Sequence, residues 1–432
     1  MAGNRSRQVV GDYFTLQRGT TYKGRLLGMP GPVLLGLATI QRNGGFRRDS
    51  LQTYGGDSPD KLLVQPGELY LSLKDVTQSA DLLGAVARLP QDHSPGRLTQ
   101  DTVKLEPKAS DVPIGYLYWL LRTPQYRGYC RAHATGTTNL GLARDDFLAF
   151  PAPEPSFEQL KLVDTLTVLD DKLELNRRMS ETLETMARAL FKSWFVDFDP
   201  VRAKAEGRDP GLPRPIADLF PDRLVDSELG EIPEGWDIKQ FGDVAEHPRR
   251  TVQPGSIGPD MPYIALEHMP RRCIALSEWG VAAGLESNKF EFKAGEILFG
   301  KLRPYFHKVG VAPVDGVCST DIVVVVPKEP HWFSFVLGVV SSDEFVEFTN
   351  AGSTGTKMPR TSWADMARYE LVKPPITIAK AFTDRMRPSV ERIIAGIHES
   401  RSLAALRDAL LPRLISGDLR VEDGERFIGA AA

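Results

Sequence analysis

The sequence predicts an α+β fold in which two mixed α/β domains are joined to two long helices. The segment GELYLSLK (Gly67–Lys74) recurs as GEILFGKL (Gly295–Leu302), at an offset of 228 residues. This recurrence indicates two diverged copies of one unit. Each copy is followed by a long stretch whose apolar residues recur every three or four positions, which is typical of an amphipathic helix. At 432 residues the chain is long enough for two or three domains with their own cores.

The two repeated domains are predicted to mix strands and helices. In the first domain (1–155), leucines alternate along Leu69–Leu73, the period expected of a half-buried strand. In the second domain (236–375), Ile322–Val326 reads IVVVV, a β-branched run typical of a strand buried on both faces. Both domains are also rich in Gly and Pro between these runs, so short strands and turns are expected.

The first long helix is predicted over 156–196 and the second over 376–418. Ser156 and Gln159 fit a capping box at the start of the first helix. Its length of about 60 Å exceeds a compact domain, which favours pairing of the two helices as a coiled coil. The alternative is that each helix packs on its own domain. Pro388 is expected to kink the second helix or to mark its start.

The remaining segments are predicted to be irregular. Residues 197–235 are rich in Pro and Asp without periodicity, so they are expected to form a long, mostly extended linker. Residues 419–432 form a C-terminal tail.

Composition excludes several function classes. The odd number of cysteines (Cys130, Cys273 and Cys318) without a CxxC pair predicts reduced thiols of a cytoplasmic protein rather than disulfides or a metal site. No apolar run reaches membrane-spanning length, and the first ten residues lack the apolar core of a signal peptide.

The net charge of −3 does not by itself indicate a nucleic-acid binder. The charge is uneven, however. Residues 1–155 carry 18 basic and 14 acidic side chains, whereas 156–235 carry 11 basic and 17 acidic ones. The acidic first helix and linker would therefore suit protein docking better than DNA binding.

Four segments carry a resemblance to a known family. The longest is Asn176–Trp236, which contains ALFKSWFVDFDP and SELGEIPEGW, and a second is LRDALLPRLISGDLRV (Leu406–Val421). The segments Val9–Gly24 and Ser227–Val244 resemble the starts of two recognition domains. Together they resemble the specificity subunits of type I restriction–modification systems, in the family's order and over essentially the whole chain.

The resemblance implies that 1–155 and 236–375 are target-recognition domains, each reading one half of a split DNA sequence. It implies that the two long helices form an antiparallel coiled coil that acts as a spacer. It further implies docking of two modification (methyltransferase) subunits and of restriction (translocase/nuclease) subunits. S-adenosylmethionine, ATP and Mg²⁺ would then be bound by those partners, and no cofactor by this chain.

No catalytic motif stands out in the sequence. Gly352–Lys357 (GSTGTK) lacks the spacing of an ATP-binding P-loop, and Lys373–Ile376 (KPPI) lacks the residues of an adenine methyltransferase tetrapeptide. The sequence therefore predicts a non-catalytic subunit. The alternatives are a methyltransferase–specificity fusion, a coiled-coil adaptor that binds two proteins, and the specificity part of a methylation-only system.

Candidate DNA contacts are side chains that can donate to base edges or phosphates from Gly-containing loops. The candidates in the first domain are Tyr22, Lys23, Arg25, Arg42, Arg47, Arg48, Lys74, Thr137, Thr138 and Asn139. Those in the second domain are Arg249, Arg250, Arg271, Arg272, Lys301, Arg303, Tyr305, Lys308, Ser353, Thr354, Thr356 and Lys357. The alternative for each is a solvated surface charge, a local ion pair or a plain turn.

Four aromatic residues near the end of the first helix are candidates for partner docking. They are Phe191, Trp194, Phe195 and Phe198. Aromatic side chains are common interface anchors. The alternative is that they form the core between the helix ends.

Overall fold

The computed structural model describes residues 8–48, 51–77, 79–353 and 358–416. It divides into two compact units. Among the described residues, unit 1 holds those up to Asp171 together with those from Leu403 onwards, and unit 2 is Lys172–Ser402. None of the described helices is both long and apolar enough to cross a membrane.

The first domain lies in unit 1 and is built from two small sheets and a separate two-stranded ladder, with helices packed on them. Its elements are α1 (Val10–Tyr13), β1 (Phe14–Arg18), β2 (Val33–Leu35), β3 (Leu63–Val64), β4 (Leu69–Ser72), β5 (Lys74–Asp75), β6 (Val86–Arg88), β7 (Gly96–Leu98), β8 (Thr102–Pro107), α2 (Ile114–Leu120), α3 (Pro124–Ala132), β9 (Leu140–Gly141) and α4 (Arg144–Leu148). One sheet has the antiparallel order β1-β8-β4-β6, and the other has the order β2-β7-β3 with β2 and β7 parallel. Thr123 caps α3, whose first residue is a proline, as is typical of a helix start.

The first long helix, α5 (Phe157–Phe195), begins at the predicted capping box. The Ser156 N–H donates to Gln159 Oε1 at 2.8 Å, and the Gln159 N–H donates to Ser156 Oγ at 3.3 Å. In unit 1, Leu162 and Leu166 pack into the core of the first domain together with Leu410 and Leu414. At this end the first long helix therefore lies in one core with both the first domain and the end of the second long helix.

The 197–235 segment is not the mostly extended linker that the sequence predicts. It contains α6 (Asp199–Ala205), α7 (Arg214–Ala217) and a hairpin of β10 (Leu224–Ser227) and β11 (Gly230–Pro233). The buried apolar residues that hold this segment are Phe198, Val201, Ala203, Phe220 and Ile232. Because these buried residues are few and are spread over short, separate elements and turns, the segment shows no periodicity.

The second domain lies in unit 2. Its elements are β12 (Asp237–Gln240), β13 (Ala245–Glu246), β14 (Thr251–Val252), β15 (Pro262–Ile264), β16 (Gly280–Val281), β17 (Lys289–Phe292), β18 (Ile297–Gly300), β19 (Val309–Val311), β20 (Gly316–Cys318), β21 (Ile322–Pro327), α8 (Phe333–Val340), α9 (Asp343–Ala351), α10 (Trp363–Met366) and β22 (Glu370–Lys373). The sheets have the orders β13-β21-β18-β19 and β14-β17-β20-β15-β16, and β12 pairs with β22.

The internal repeat is confirmed by the topology. Strands β4 and β18 begin 228 residues apart and occupy the same inner position of a four-stranded sheet. In both domains a parallel pair, β2–β7 or β15–β20, belongs to the second sheet. Gly67 and Gly295, which precede the two repeated strands, have φ of +86° and +84°. The left-handed backbone at the turn explains why both copies carry glycine there.

The second long helix is α11 (Ile376–Leu410), followed by α12 (Arg413–Ser416). It runs through Pro388, so the proline does not mark its start. In unit 2, Lys172 Nζ of α5 lies 3.2 Å from Glu399 Oε1 of α11. Further along α5, Met179 Sδ accepts a hydrogen bond from Arg392 Nε of α11 at 3.2 Å. Because rising numbers in α5 meet falling numbers in α11, the contacting segments run antiparallel.

Candidate nucleic-acid interface

The Arg42 loop (Gln41–Arg48) of the first domain is held in shape by backbone hydrogen bonds. The Asn43 N–H donates to Asp81 O at 2.8 Å, although Asn43 has a left-handed φ of +62°. Buried Arg127 donates to main-chain carbonyls of the neighbouring 80–83 segment. Arg42 and Arg47 are exposed on this loop, and Arg48 forms an ion pair with Asp92 at 2.6 Å.

A second loop of the first domain carries Tyr22, Lys23 and Arg25, all exposed. It is organised by Arg97, which is buried and donates to Thr20 Oγ at 3.0 Å and to the carbonyl of Thr21 at 3.2 Å. These hydrogen bonds fix the backbone directly before the three candidate side chains. The sequence did not single out Arg97, because nothing in its local pattern separates a buried arginine from a surface one.

Lys74 and the Gly/Thr loop of the first domain are brought together. Lys74 pairs with Gly141 across β5 and β9. Thr135 and Gly141 exchange backbone hydrogen bonds of 2.9 and 2.8 Å, which close the loop between them. The exposed tip of that loop carries Thr137, Thr138 and Asn139. Lys74 itself forms an ion pair with Asp101 at 2.9 Å.

In the second domain, the 301–308 turn holds aromatic and basic side chains in one cluster. The Arg271 guanidinium carbon lies 4.0 Å from the centre of the Phe306 ring, and that of Arg303 lies 5.9 Å from it. The half-exposed ring of Tyr305 stands edge-on to Phe306 at 4.7 Å. Arg271 is exposed, so a planar donor group is presented to solvent on an aromatic support.

A second basic group surrounds Lys301. Burial lowers the pKa of Lys301, and although Asp321 opposes this shift, the nearby charges of Arg360 and Arg249 lower it further. Arg360 is exposed and lies 2.9 Å from Asp321. The sequence did not single out Arg360. Arg360 forms an antiparallel β-bridge with Leu302, and this bridge matches the pairing of Gly141 with Lys74 in the first domain. Aligning the two repeats could therefore have revealed Arg360 as a candidate.

Several candidates are engaged within the domain. Arg250 forms an ion pair with Glu296, and Arg272 forms one with Asp343 at 2.8 Å. The Lys308 ammonium donates to the carbonyl of Leu266, and Ser353 Oγ donates to Asn350 O at 2.6 Å. These side chains are less available to DNA than the sequence suggests. Thr354, Thr356 and Lys357 lie outside the described residues.

Left-handed backbone is concentrated in the predicted basic loops. Among the described residues other than glycine, those with positive φ in or beside these loops are Asn43, Arg249, Arg272, Arg303 and His307. Each such residue costs on the order of 1–3 kcal/mol and persists only where its surroundings hold it. Here they are held, for example by the Arg303 N–H that donates to Pro359 O at 2.7 Å and the Arg272 N–H that donates to His307 O at 2.9 Å. The loops are therefore preorganised.

The four aromatic docking candidates are buried, which contradicts their predicted role. Phe191, Trp194, Phe195 and Phe198 are each no more than 7% exposed and belong to one core with the second domain. They pack against Trp236, Phe335 and Phe382, residues too distant in the sequence for their contact to be expected. The exposed apolar side chains of α5 are instead Val168, Leu175 and Met186, along with Phe157 and Leu160 at its start.

Comparison with known proteins gives relatives of one kind. No family model matches the chain. The chain is 27% identical over 329 residues to the MjaIX type I restriction enzyme specificity subunit of Methanocaldococcus jannaschii, a match that spans 71% of this chain and 69% of that one. It is 26% identical over 372 residues to the HindI specificity subunit of Haemophilus influenzae, spanning 73% and 79%. The crystal structure of a type I restriction–modification S subunit from M. genitalium aligns with a TM-score of 0.57 at 14% identity, over 96% of this chain and 97% of that one.

The fold is thus the mixed α/β fold of a type I restriction–modification S subunit. The curated homologues of the chain are named type I restriction enzyme specificity subunits, which confirms the resemblance carried by Asn176–Trp236 and Leu406–Val421.

Proposed function

We propose that this chain is the DNA sequence-specificity subunit of a type I restriction–modification complex and that it reads a bipartite target. The observation that carries the proposal is the repeated domain, because both copies place a lysine just after the repeated strand, where the chain pairs with a second loop: Lys74 pairs with Gly141, and Leu302, next to Lys301, pairs with Arg360. Two related recognition domains in one chain suit two half-sites separated by unread bases.

In this proposal each domain would read its half-site through the major groove. Arg42 and Arg47 of the first domain, and Arg271 and Arg303 of the second, supply the forked donors that recognise guanine edges. Lys23, Lys74, Lys301 and the Gly/Thr loops would contact phosphates, which position the protein without reading sequence. The overall charge of −3 implies that much of the non-specific DNA affinity comes from partner subunits.

The two long helices would form an antiparallel coiled-coil spacer and carry the partner subunits. Modification subunits would methylate the target adenine with S-adenosylmethionine after extruding it from the duplex, and restriction subunits would use ATP and Mg²⁺. This chain would itself be non-catalytic and act in the cytoplasm. Since the four aromatic residues at the end of α5 are buried, its exposed apolar residues Val168, Leu175 and Met186 are the better docking candidates.

The proposal is tested by selecting DNA from a random duplex library with the purified chain bound to its modification subunits. We expect two short motifs at a fixed separation. Binding without any sequence preference, or no binding, would contradict the proposal and would favour the coiled-coil adaptor. The same bipartite selection in a system that has no nuclease subunit would indicate a methylation-only complex.

A further inference from the structure

Two carboxylates on α5, the half-buried Asp170 and the buried Glu184, connect this helix to the basic loops. Asp170 contacts Arg122 of the first domain within unit 1, and Glu184 contacts the backbone of Ile274 of the second domain within unit 2. Each lies among residues of its own unit.

In unit 1 the connection runs through Arg122, which is buried. Its Nη1 donates to Asp170 Oδ2 at 2.9 Å and to the Tyr118 hydroxyl at 2.8 Å. The stem of Arg122 packs under the Arg42 loop, where a Cβ added to Gly44 would lie 2.9 Å from Arg122 Cγ. Gly44 has a φ of +110°, so a larger residue would be excluded by backbone conformation as well. The position of the Arg42 loop thus depends on the position of Arg122.

Asp170 in turn holds Arg122 in place from the helix. Its second oxygen, Oδ1, accepts from Arg407 Nη1 of α11 at 3.3 Å. The carboxylate therefore connects both long helices to the arginine that supports the loop.

In unit 2 the connection is direct. The Glu184 carboxylate is 3% exposed and accepts from the backbone N–H groups of Ile274 at 3.1 Å and Ala275 at 3.2 Å. The Cys273 thiol donates to the same carboxylate at 3.3 Å. One helical turn later, Arg188 Nη1 donates to the Arg272 carbonyl at 3.0 Å. The segment 272–275, which directly follows Arg271, is thus attached to α5 by its backbone.

We propose that Asp170 and Glu184 are positioning residues for sequence reading, each fixing the basic loop of one recognition domain to the helix that carries the partner subunits. This inference rests on the proposed function. Neither carboxylate touches DNA; each acts through the loop that it holds. Because a displacement of about 1 Å can cost on the order of a hundredfold in a precisely positioned interaction, base discrimination should depend on these two carboxylates. Each carboxylate should affect one half-site only.

The test compares Asp170→Asn and Glu184→Gln, each assembled with wild-type modification subunits. Asp171→Asn and Glu181→Gln are matched controls, since they make the same chemical changes at exposed positions of the same helix. Competition binding against duplexes with one base pair changed at a time gives the discrimination at each half-site. We expect Glu184→Gln to reduce discrimination about tenfold at one half-site, comparable with the loss of one good base contact. Asp170→Asn should do so at the other half-site, and the controls should change neither.

Asp170→Glu keeps the charge but lengthens the side chain, so it displaces Arg122 without leaving it unpaired. It should alter the same half-site as Asp170→Asn, and it provides the test if the asparagine variant does not fold. Equal loss at both half-sites, or unchanged discrimination in folded variants, would overturn the inference. If the wild-type complex itself showed no bipartite preference, the proposed function would fail first.

Discussion

The replacement Phe195→Ala tests whether the aromatic group at the end of α5 is core or docking surface. The Phe195 ring lies 4.9 Å from the Phe382 ring, 5.0 Å from Phe335 and 5.4 Å from Phe191, and its side chain is 6% exposed. Truncating a buried phenylalanine to alanine costs about 3–5 kcal/mol, of which each lost ring pair accounts for roughly 0.5–1.5 kcal/mol beyond simple burial. Domains are stable by only about 5–15 kcal/mol. Unit 2 should therefore lose much of its stability.

Urea unfolding followed by tryptophan fluorescence measures this loss, since Trp194, Trp236 and Trp332 lie in the same core. Val196→Ala is the matched control, because Val196 is the next residue on the helix end and is 39% exposed. The control should change the free energy of unfolding by no more than about 0.5 kcal/mol. If Phe195→Ala left unfolding unchanged and abolished binding of the modification subunit, the assignment of these rings to the core would be wrong.

Three further predictions concern pH, thiol chemistry and spacing. Burial alone would raise the pKa of Asp170, but Arg122 and Arg407 lower it below its ordinary value of 3.8. Its stabilising contribution is therefore present above pH 3.8 and lost as the pH falls through the lowered pKa. Asp170→Asn should flatten this acid limb of the stability curve, and an unchanged limb would contradict the pairing. Burial, and to a smaller extent the neighbouring Glu184 carboxylate, raises the pKa of the Cys273 thiol to about 12. Iodoacetamide at pH 8 should therefore label Cys273 only after unfolding. Rapid labelling of Cys273 in the native chain would refute this prediction. Inserting four residues within Leu173–Leu183 lengthens the helix by about 6 Å. This insertion should shift the proposed half-site spacing by about one or two base pairs without altering either half-motif. Altered motifs at constant spacing would exclude the spacer role.

The architecture was accessible from the sequence where a pattern repeats. The segments Gly67–Lys74 and Gly295–Leu302 contain equivalent strands, and the capping box at Ser156 marks the start of α5. Where isolated residues fix the fold, apolar residues do not recur at the spacing of a helix or a strand, so the sequence does not indicate the element. For this reason the segment 197–235, whose buried residues such as Phe220 follow no period, was expected to be extended.

The candidate interface was accessible only in part. Arg42 and Arg271 are exposed on preorganised loops, and their role in reading DNA stays a prediction. The buried arginines Arg97, Arg122 and Arg127, which hold the basic loops of the first domain, were not predicted. Their partners are carbonyls or carboxylates far away in the sequence, such as that of Asp170, so only the folded chain shows that they are buried. The buried aromatic residues were misassigned for the same reason.

The central claim, that this chain directs methylation to a bipartite DNA sequence, is tested most directly by single-molecule sequencing of genomic methylation in cells with and without the gene. We predict that deletion abolishes adenine methylation at one motif made of two short halves separated by a fixed number of unread bases. Methylation that is unchanged by deletion, in cells that produce the protein and its modification subunits, would contradict the account.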